Sequence, residues 1–349
     1  MTRALNQIVF ALVLASSVGV PRRLDAQVRA GGFTVVEASI DDLRRALEQK
    51  RTTSREIVQQ YLVRIATYDP LLNAVVTVNP RALAIADSMD RERARGRIHG
   101  PLHGIPVALK DNINTTAMRT TGGALAFRDL VPPYDATLAR NLEAAGAIII
   151  AKTQLTELAN YIASGMPANY NGLNGYGMNP WDPRRDPREN NFDGRPVLTT
   201  GGSSSGTGTN VSFWVGNVGT ETSGSILSPS NQNMLVGIKP TVGRVSRYGV
   251  IPITADQDTP GPMTRTVSDA AIMLGAMEGA KPDPNDSATT KCPPPAAIIP
   301  GTTASTVRAA PIRLTCNACV CDERSSTSNS SPTPAQYTHT STAPRSPGG

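Results

Sequence analysis

The amino-acid sequence predicts an α/β protein with a mainly buried sheet. Helical patterns alternate with short apolar runs, and the clearest of these lie within GIPVALKDNI (Gly104–Ile113) and AIIIA (Ala147–Ala151). Apolar runs of this length are typical of strands that helices cover on both faces. The composition fits a globular protein, because 39% of the 349 residues are hydrophobic and 18% are charged.

The first predicted helix begins at a capping box. Thr53 and Glu56 stand three residues apart, a spacing at which each side chain caps a backbone N–H of the other residue. The apolar residues that follow recur at helical spacing and indicate one buried face. These residues are Val58, Tyr61, Leu62 and Ile65.

The central strands are predicted next. Val107–Leu109 reads as a short apolar strand, and Lys110 stands where that strand ends. A helix over Thr137–Ala145 follows, with Gly146 as its stop and Ala147–Ala151 as a second buried strand.

The second half of the domain, predicted over residues 33–285, opens with a polar loop. Asn179–Thr200 is rich in proline and arginine, and Asn233–Thr241 then predicts a further strand. Val267–Gly279 predicts a helix that starts near Thr266 and Asp269.

The N-terminal residues 1–26 predict a secretory signal. Arg3 is followed by the mainly apolar Ile8–Val20, which is too short to span a bilayer comfortably, and small residues offer cleavage after Ala26 or Ala30. A buried helix is the alternative, but it would have no obvious partner. We therefore expect a periplasmic or secreted protein without a stable membrane span.

The basic residues do not predict a nucleic-acid partner. The net charge is +6, and the densest basic group is Arg184, Arg185 and Arg188. Asp186 and Glu189 interrupt this group, and no stacking aromatic residues accompany it, so it reads as a solvated loop.

The C-terminal residues 286–349 predict a disordered tail, because 17 of the 49 residues from Gly301 onward are Ser or Thr. Cys316, Cys319 and Cys321 could be read as part of a metal site, but a fourth ligand with suitable spacing is missing. Neither a metal nor another cofactor is expected.

Two glycine- and serine-rich segments, GGSSSGTG (201–208) and GTETSGSI (219–226), have the form of turns that present a hydroxyl group. The first lacks the Lys and Ser/Thr of a phosphate-binding loop, and no G-x-S-x-G elbow surrounds Ser225. A serine nucleophile needs a base. His99 and His103 read as loop or packing residues, and Lys110 can serve only if burial lowers its pKa. From the residues alone, a solvated end-cap remains the more common role for such a lysine.

Four segments in this order resemble the amidase signature family of Ser–Ser–Lys amide hydrolases. They are GIPVALKDNI, GGSSSG, GTETSGSI and GIKPTVGRVSRYGVIPI. The resemblance covers Thr53–Gly279, and QDTPGPM (Gln257–Met263) makes the chain most similar to bacterial members of the peptide-amidase type. It implies a mixed central β-sheet flanked by helices, incomplete here at the C-terminus, and a small amide or peptide amide as substrate.

The resemblance also implies a role for each site residue. Ser225 is the nucleophile, and Ser203, which follows a cis peptide bond from Gly202, relays its proton to neutral Lys110. Ser204 supports this network. The oxyanion hole consists of the backbone N–H groups of Thr222, Ser223, Gly224 and Ser225.

Two departures from the family keep alternatives open. The 22 residues from Ser203 to Ser225 are about two fewer than the resemblance implies, which changes the phase of a helix by roughly 200°. Family members also continue well beyond the point where the likeness ends. A catalytically inactive, truncated amidase remnant is therefore one alternative, and an amidotransferase-type subunit is another.

Overall fold

The structure, a computed structural model, describes residues 32–189 and 193–289. The predicted export signal and all four cysteines lie outside the described residues, as does nearly all of the predicted tail. Within the described ranges, no helix has the length and apolar character needed to cross a bilayer.

In chain order, the helices of the described ranges are α1 (Ile40–Glu48), α2 (Ser54–Leu72), α3 (Ala82–Ala94), α4 (Thr137–Ala144), α5 (Thr207–Asn210), α6 (Leu227–Gln232) and α7 (Val267–Glu278). Among these, α2 is the longest, with 19 residues. Short 3₁₀ turns cover Leu125–Phe127 and Glu157–Asn160.

The main sheet is mixed, as the resemblance implies. Its strands are β1 (Val75–Val78), β2 (Pro106–Lys110), β3 (Ile148–Thr153), β6 (Gly216–Glu221), β7 (Val236–Gly237) and β8 (Thr259–Thr264), in the spatial order β1-β3-β2-β6-β8-β7. Strand β2 runs parallel to β3 and to β6, and the other pairs are antiparallel. A separate hairpin joins β4 (Tyr170–Asn171) to β5 (Gly175–Tyr176).

The predicted start of α2 is confirmed. The N–H of Glu56 donates to the Thr53 hydroxyl at 3.1 Å, and the N–H of Thr53 donates to the Glu56 carboxylate at 3.0 Å. Val58, Tyr61 and Ile65 are buried on the predicted face, and Leu62 packs against the core while remaining partly exposed.

The two central strands also lie where the sequence places them. Every residue of β2 and β3 is buried, and Lys110 is the last residue of β2. Helix α4 ends just before Gly146, whose φ of +89° is a conformation that glycine adopts without strain. Helix α7 begins after Thr266, whose side chain accepts from the N–H of Asp269.

Four strands of the main sheet differ from the prediction. The run Asn233–Thr241 contributes only Val236–Gly237 to the sheet, and β1, β6 and β8 were not predicted. Strand β8 has the sequence TPGPMT, and proline is disfavoured inside a sheet because it cannot donate to the ladder. Strand β6 contains only one large apolar residue, Val218, which is too little for a periodic pattern.

The short connection between Ser203 and Ser225 is accommodated by a single helical turn. Helix α5 has four residues, and bends then lead into β6. Trp214, which lies within this segment, is fully buried, and its Nε1 donates to the Thr209 hydroxyl at 2.9 Å. One helical turn and the bends that follow it thus make up most of the connection between the two serine segments.

Candidate active site

The structure brings Lys110 and Ser203 together. Nζ of Lys110 lies 2.7 Å from Oγ of Ser203, although the residues are 93 positions apart in the chain. Lys110 is fully buried and Ser203 is 2% exposed. The contact is therefore shielded from water, where an electrostatic interaction is stronger than at the surface.

The protonation of Lys110 follows from this burial. Burial lowers the pKa of Lys110 from its ordinary 10.5 to about 7, and the carboxylates of Asp258 and Glu221 oppose this decrease. The amine thus changes its charge near neutral pH, which is where a general base is most effective.

Thr220, the residue before the last of β6, orients the amine. Nζ of Lys110 lies 2.9 Å from the Thr220 hydroxyl and 3.3 Å from the Thr220 carbonyl oxygen. A neutral amine has two N–H groups and one lone pair. When both N–H groups donate to Thr220, the lone pair is left for the Ser203 hydroxyl. Because β2 and β6 are parallel neighbours, both residues stand at the same edge of the sheet.

Backbone contacts hold the loop that carries Ser203. The peptide bond from Gly202 to Ser203 is cis, and the carbonyl oxygen of Ser203 accepts from the N–H of Thr156 at 2.9 Å. The Ser204 hydroxyl donates to the Thr220 carbonyl at 3.2 Å and accepts from the Thr220 N–H at 3.2 Å. Ser204 therefore joins the loop to β6.

Ser225 lies on the neighbouring loop. Its carbonyl oxygen accepts from the N–H of Ser204 at 3.1 Å, so the two predicted serine segments are in direct contact. The Ser225 side chain is partly exposed and lines a small cavity together with Asn112, Thr220 and Thr222. The predicted nucleophile is thus accessible, whereas the predicted base is not.

The loop before Ser225 differs from the expectation at one position. The N–H of Gly224 donates to the carboxylate of Glu221 at 2.8 Å, so this group is already engaged and is not free for an oxyanion. Among the described residues, the N–H groups of Thr222, Ser223 and Ser225 have no protein acceptor. Three of the four predicted donors therefore remain available.

Glu221 was not singled out from the sequence. Besides Gly224, its carboxylate accepts from the N–H groups of Ile226 at 2.6 Å and Leu227 at 2.9 Å. It therefore fixes the turn that presents Ser225. The signal was present in GTETSGSI, where an acidic residue precedes a helix start by a few positions and can accept its free N–H groups.

Three further residues at the site were also missed. Asn112 donates from Nδ2 to the Thr220 hydroxyl at 2.9 Å. Asp258 accepts from the Thr222 hydroxyl and from the N–H groups of Ile253 and Thr254. No local pattern marks these residues as part of the site, because the contact of Asn112 with Thr220 spans 108 positions and that of Asp258 with Thr222 spans 36.

The histidines of the described ranges lie apart from these contacts. The His99 side chain pairs with Glu92, and Nε2 of His103 lies 3.0 Å from the Met89 carbonyl oxygen. Within the described ranges, no group of three or more His, Cys, Asp or Glu side chains is arranged to hold a metal ion.

Comparisons with known proteins show which family the chain belongs to. The family described as Amidase matches residues 56–313, and the chain belongs to this amidase family. A probable amidase of Arabidopsis thaliana is 40% identical over 272 residues, which cover 76% of this chain and 50% of that protein. A glutamyl-tRNA(Gln) amidotransferase subunit of Thermosynechococcus vestitus is 39% identical over 259 residues, covering 73% and 50%.

Solved structures of amidases are similar to this chain in fold as well. The X-ray structure of the native peptide amidase from Stenotrophomonas maltophilia superposes with a TM-score of 0.68 at 42% sequence identity. The match covers 74% of this chain and 50% of the peptide amidase. The chain thus spans about half the length of the relatives that it matches.

Proposed function

We propose that this protein hydrolyses a carboxylic amide through an acyl-enzyme on Ser225, with Ser203 and Lys110 as the proton relay. The observation that carries the proposal is the 2.7 Å contact between Ser203 Oγ and the buried amine of Lys110. An amine whose pKa is about 7 accepts a proton at neutral pH, which an exposed lysine does not do.

The first half of the reaction forms the acyl-enzyme. Oγ of Ser225 attacks the carbonyl carbon and gives its proton to Ser203, whose own proton passes to Nζ of Lys110. The resulting oxyanion accepts from the free N–H groups of Thr222, Ser223 and Ser225. Each such donor typically contributes about 2.7–4 kcal/mol of transition-state stabilisation.

In the second half of the reaction, the proton held by Lys110 passes back through Ser203 to the leaving group. Ser203 gives a proton to the scissile nitrogen and regains one from Lys110, so the C–N bond breaks and ammonia or an amine leaves. Water then attacks the acyl-enzyme along the same relay and releases the carboxylic acid. A small amide or a peptide amide fits this chemistry, and the similarity to the peptide amidase supports the second class.

The test is active-site labelling of the full chain with a fluorophosphonate. We expect an adduct on Ser225, located by peptide mass, that is lost in Ser225→Ala and strongly slowed in Lys110→Ala. Ser228→Ala is the matched control, because Ser228 is exposed and lies three residues further along the chain. A labelled wild type that also hydrolyses a peptide amide supports the proposal.

The alternatives predict other results. An inactive remnant gives no adduct on any of these proteins, and aggregation without a cooperative thermal transition would accompany it. An amidotransferase-type subunit, for which the similarity to the Thermosynechococcus vestitus protein speaks, would label on Ser225 but would need partner subunits for turnover.

We also propose a periplasmic or secreted location, on the basis of the predicted secretory signal in residues 1–26. N-terminal sequencing of the protein recovered from the periplasm or the medium tests this. A chain that begins after Ala26 or Ala30 supports export, and an uncleaved chain confined to the cytoplasm contradicts it.

A further inference from the structure

Asn112 carries a buried acceptor that the proposed reaction does not use. It lies two residues beyond the catalytic lysine, directly after Asp111, and is 1% exposed. Its Nδ2 donates to Thr220, but among the described residues its Oδ1 has no hydrogen-bond partner. Buried side-chain acceptors without a partner are rare in folded proteins. This oxygen is therefore free to accept a hydrogen bond from a bound molecule, provided that the site brings a donor to it.

Asn112 belongs to the wall of the cavity that contains Ser225 and Thr222. Its backbone is fixed there, because its carbonyl oxygen accepts from the N–H of Ile251 at 2.8 Å. Ile113, the next residue, forms a β-bridge with Val250. Asn112 is therefore held at the wall of this cavity by its own backbone and by that of the next residue.

Asn112 is also linked to the base. Its Nδ2 and Nζ of Lys110 each lie 2.9 Å from the same Thr220 hydroxyl oxygen. One hydroxyl group thus separates the Asn112 amide from the amine that supplies the leaving-group proton. Since that proton travels through Ser203, the scissile nitrogen has to arrive in the same region.

We propose that Oδ1 of Asn112 accepts a hydrogen bond from the N–H of the scissile amide and makes the site selective for amides over esters. This inference rests on the proposed function. Before the C–N bond breaks, the nitrogen must turn its lone pair toward the Ser203 hydroxyl to take up the proton. An acceptor for its N–H fixes that orientation. The leaving oxygen of an ester has no hydrogen to donate, so Asn112 gives it no corresponding contact.

The test compares the primary amide and the methyl ester of one N-blocked dipeptide, at a pH where Lys110 is neutral. In Asn112→Ala, kcat/KM for the amide should fall about 10- to 100-fold, and that for the ester about threefold or less. Asn112→Asp keeps an acceptor in place, so its amide-to-ester ratio should stay within about threefold of the wild-type ratio. Equal losses on both substrates would overturn the inference, because a merely structural role affects them alike.

Two controls keep the result interpretable. Asn141→Ala removes the same side chain from α4, where its Nδ2 donates to the Met277 carbonyl at 3.0 Å, and should leave the ratio unchanged. If Asn112→Ala does not fold, Asn112→Leu fills the same volume without polar atoms and should show the same selective loss. A wild type that hydrolyses neither substrate overturns the proposed function. Hydrolysis of both, with an unchanged ratio in the apolar variants, overturns only the role of Asn112.

Discussion

Lys110 and Ser203 form a 2.7 Å contact in a part of the protein that water barely reaches. A charged amine would be poorly solvated there, and the neutral form is the one that can accept a proton. The same burial that lowers the pKa of the proposed base therefore costs stability whenever the amine is charged. This connection leads to a prediction about stability and to one about catalysis.

Lys110→Met should change how stability depends on pH. Between about pH 7 and 10.5, Lys110 is neutral in the folded protein and protonated in the unfolded chain. The unfolded state then binds more protons, so the free energy of unfolding of the wild type rises with pH through this window. Denaturant unfolding at several pH values should show that the free energy of unfolding of the wild type increases relative to that of Lys110→Met as the pH rises.

Lys239→Met serves as the control for this experiment. Lys239 is exposed, so the substitution removes one lysine without removing a buried amine. Its stability difference from the wild type should stay constant across the same pH range. A constant difference for Lys110→Met as well would contradict the lowered pKa of Lys110.

Asp258→Asn should move the pH profile of activity. The Asp258 carboxylate raises the pKa of Lys110 against the effect of burial, so its removal lets that pKa fall further. The rise of kcat/KM with pH, which we expect near pH 7 in the wild type, should then occur at lower pH. Its neighbour Asp256 is exposed, and Asp256→Asn should leave the profile in place. A shift to higher pH in Asp258→Asn would refute this assignment.

Lys152→Met should destabilise the protein strongly. Nζ of Lys152 lies 3.0 Å from the Asp111 carboxylate, and both side chains are fully buried. Removing one partner leaves a buried charge uncompensated, which costs about 3–5 kcal/mol. Asp111→Asn added to Lys152→Met should recover part of the loss, as measured by urea unfolding.

An exposed pair provides the comparison for Lys152. Arg44 and Asp41 lie 3.2 Å apart with about two fifths of each side chain exposed, and Arg44→Met should cost no more than about 1 kcal/mol. Similar losses in the two variants would show that the buried pair contributes little.

Gly202→Ala should displace Ser203. A Cβ atom at Gly202 would lie 2.7 Å from the Thr156 hydroxyl oxygen, which accepts from the N–H of Asn169 at 2.8 Å and is held in place by it. We expect kcat/KM to fall about 10- to 100-fold, because the proposed relay through Ser203 depends on close positioning. A Cβ atom at Gly32 would meet no atom within 4 Å, so Gly32→Ala should leave kcat/KM unchanged. Full activity in Gly202→Ala would mean that the loop tolerates the extra atom.

The sequence was most informative where one segment determines its own structure. The capping box of Thr53, the buried strand ending at Lys110 and the stop at Gly146 all depend on neighbours within a few residues. Strand β8 shows the limit, because TPGPMT becomes a strand only through pairing with β6 and β7. Its two prolines make a strand unexpected from the local sequence, because proline cannot donate a hydrogen bond to a neighbouring strand.

In the candidate site, too, the residues that could be predicted are those that lie in segments recognisable from the sequence alone. Lys110, Ser203 and Ser225 stand in segments that resemble a known family, so they could be named as candidate site residues before their positions were known. Glu221 was within reach, because it lies in one of those segments. Asn112 and Asp258 were not, because each acts through a partner that only the folded chain brings near.

The long separations within the site also have a consequence for the order of folding. Lys110 contacts Ser203 across 93 positions and Thr220 across 110, and the latter contact requires the parallel pairing of β2 with β6. Such non-local pairings form slowly, because a long loop must close before any contact compensates for its lost entropy. After dilution from denaturant, the helical circular dichroism signal should therefore return before a fluorophosphonate can label Ser225. The rate at which labelling recovers would then report the rate at which the sheet is completed.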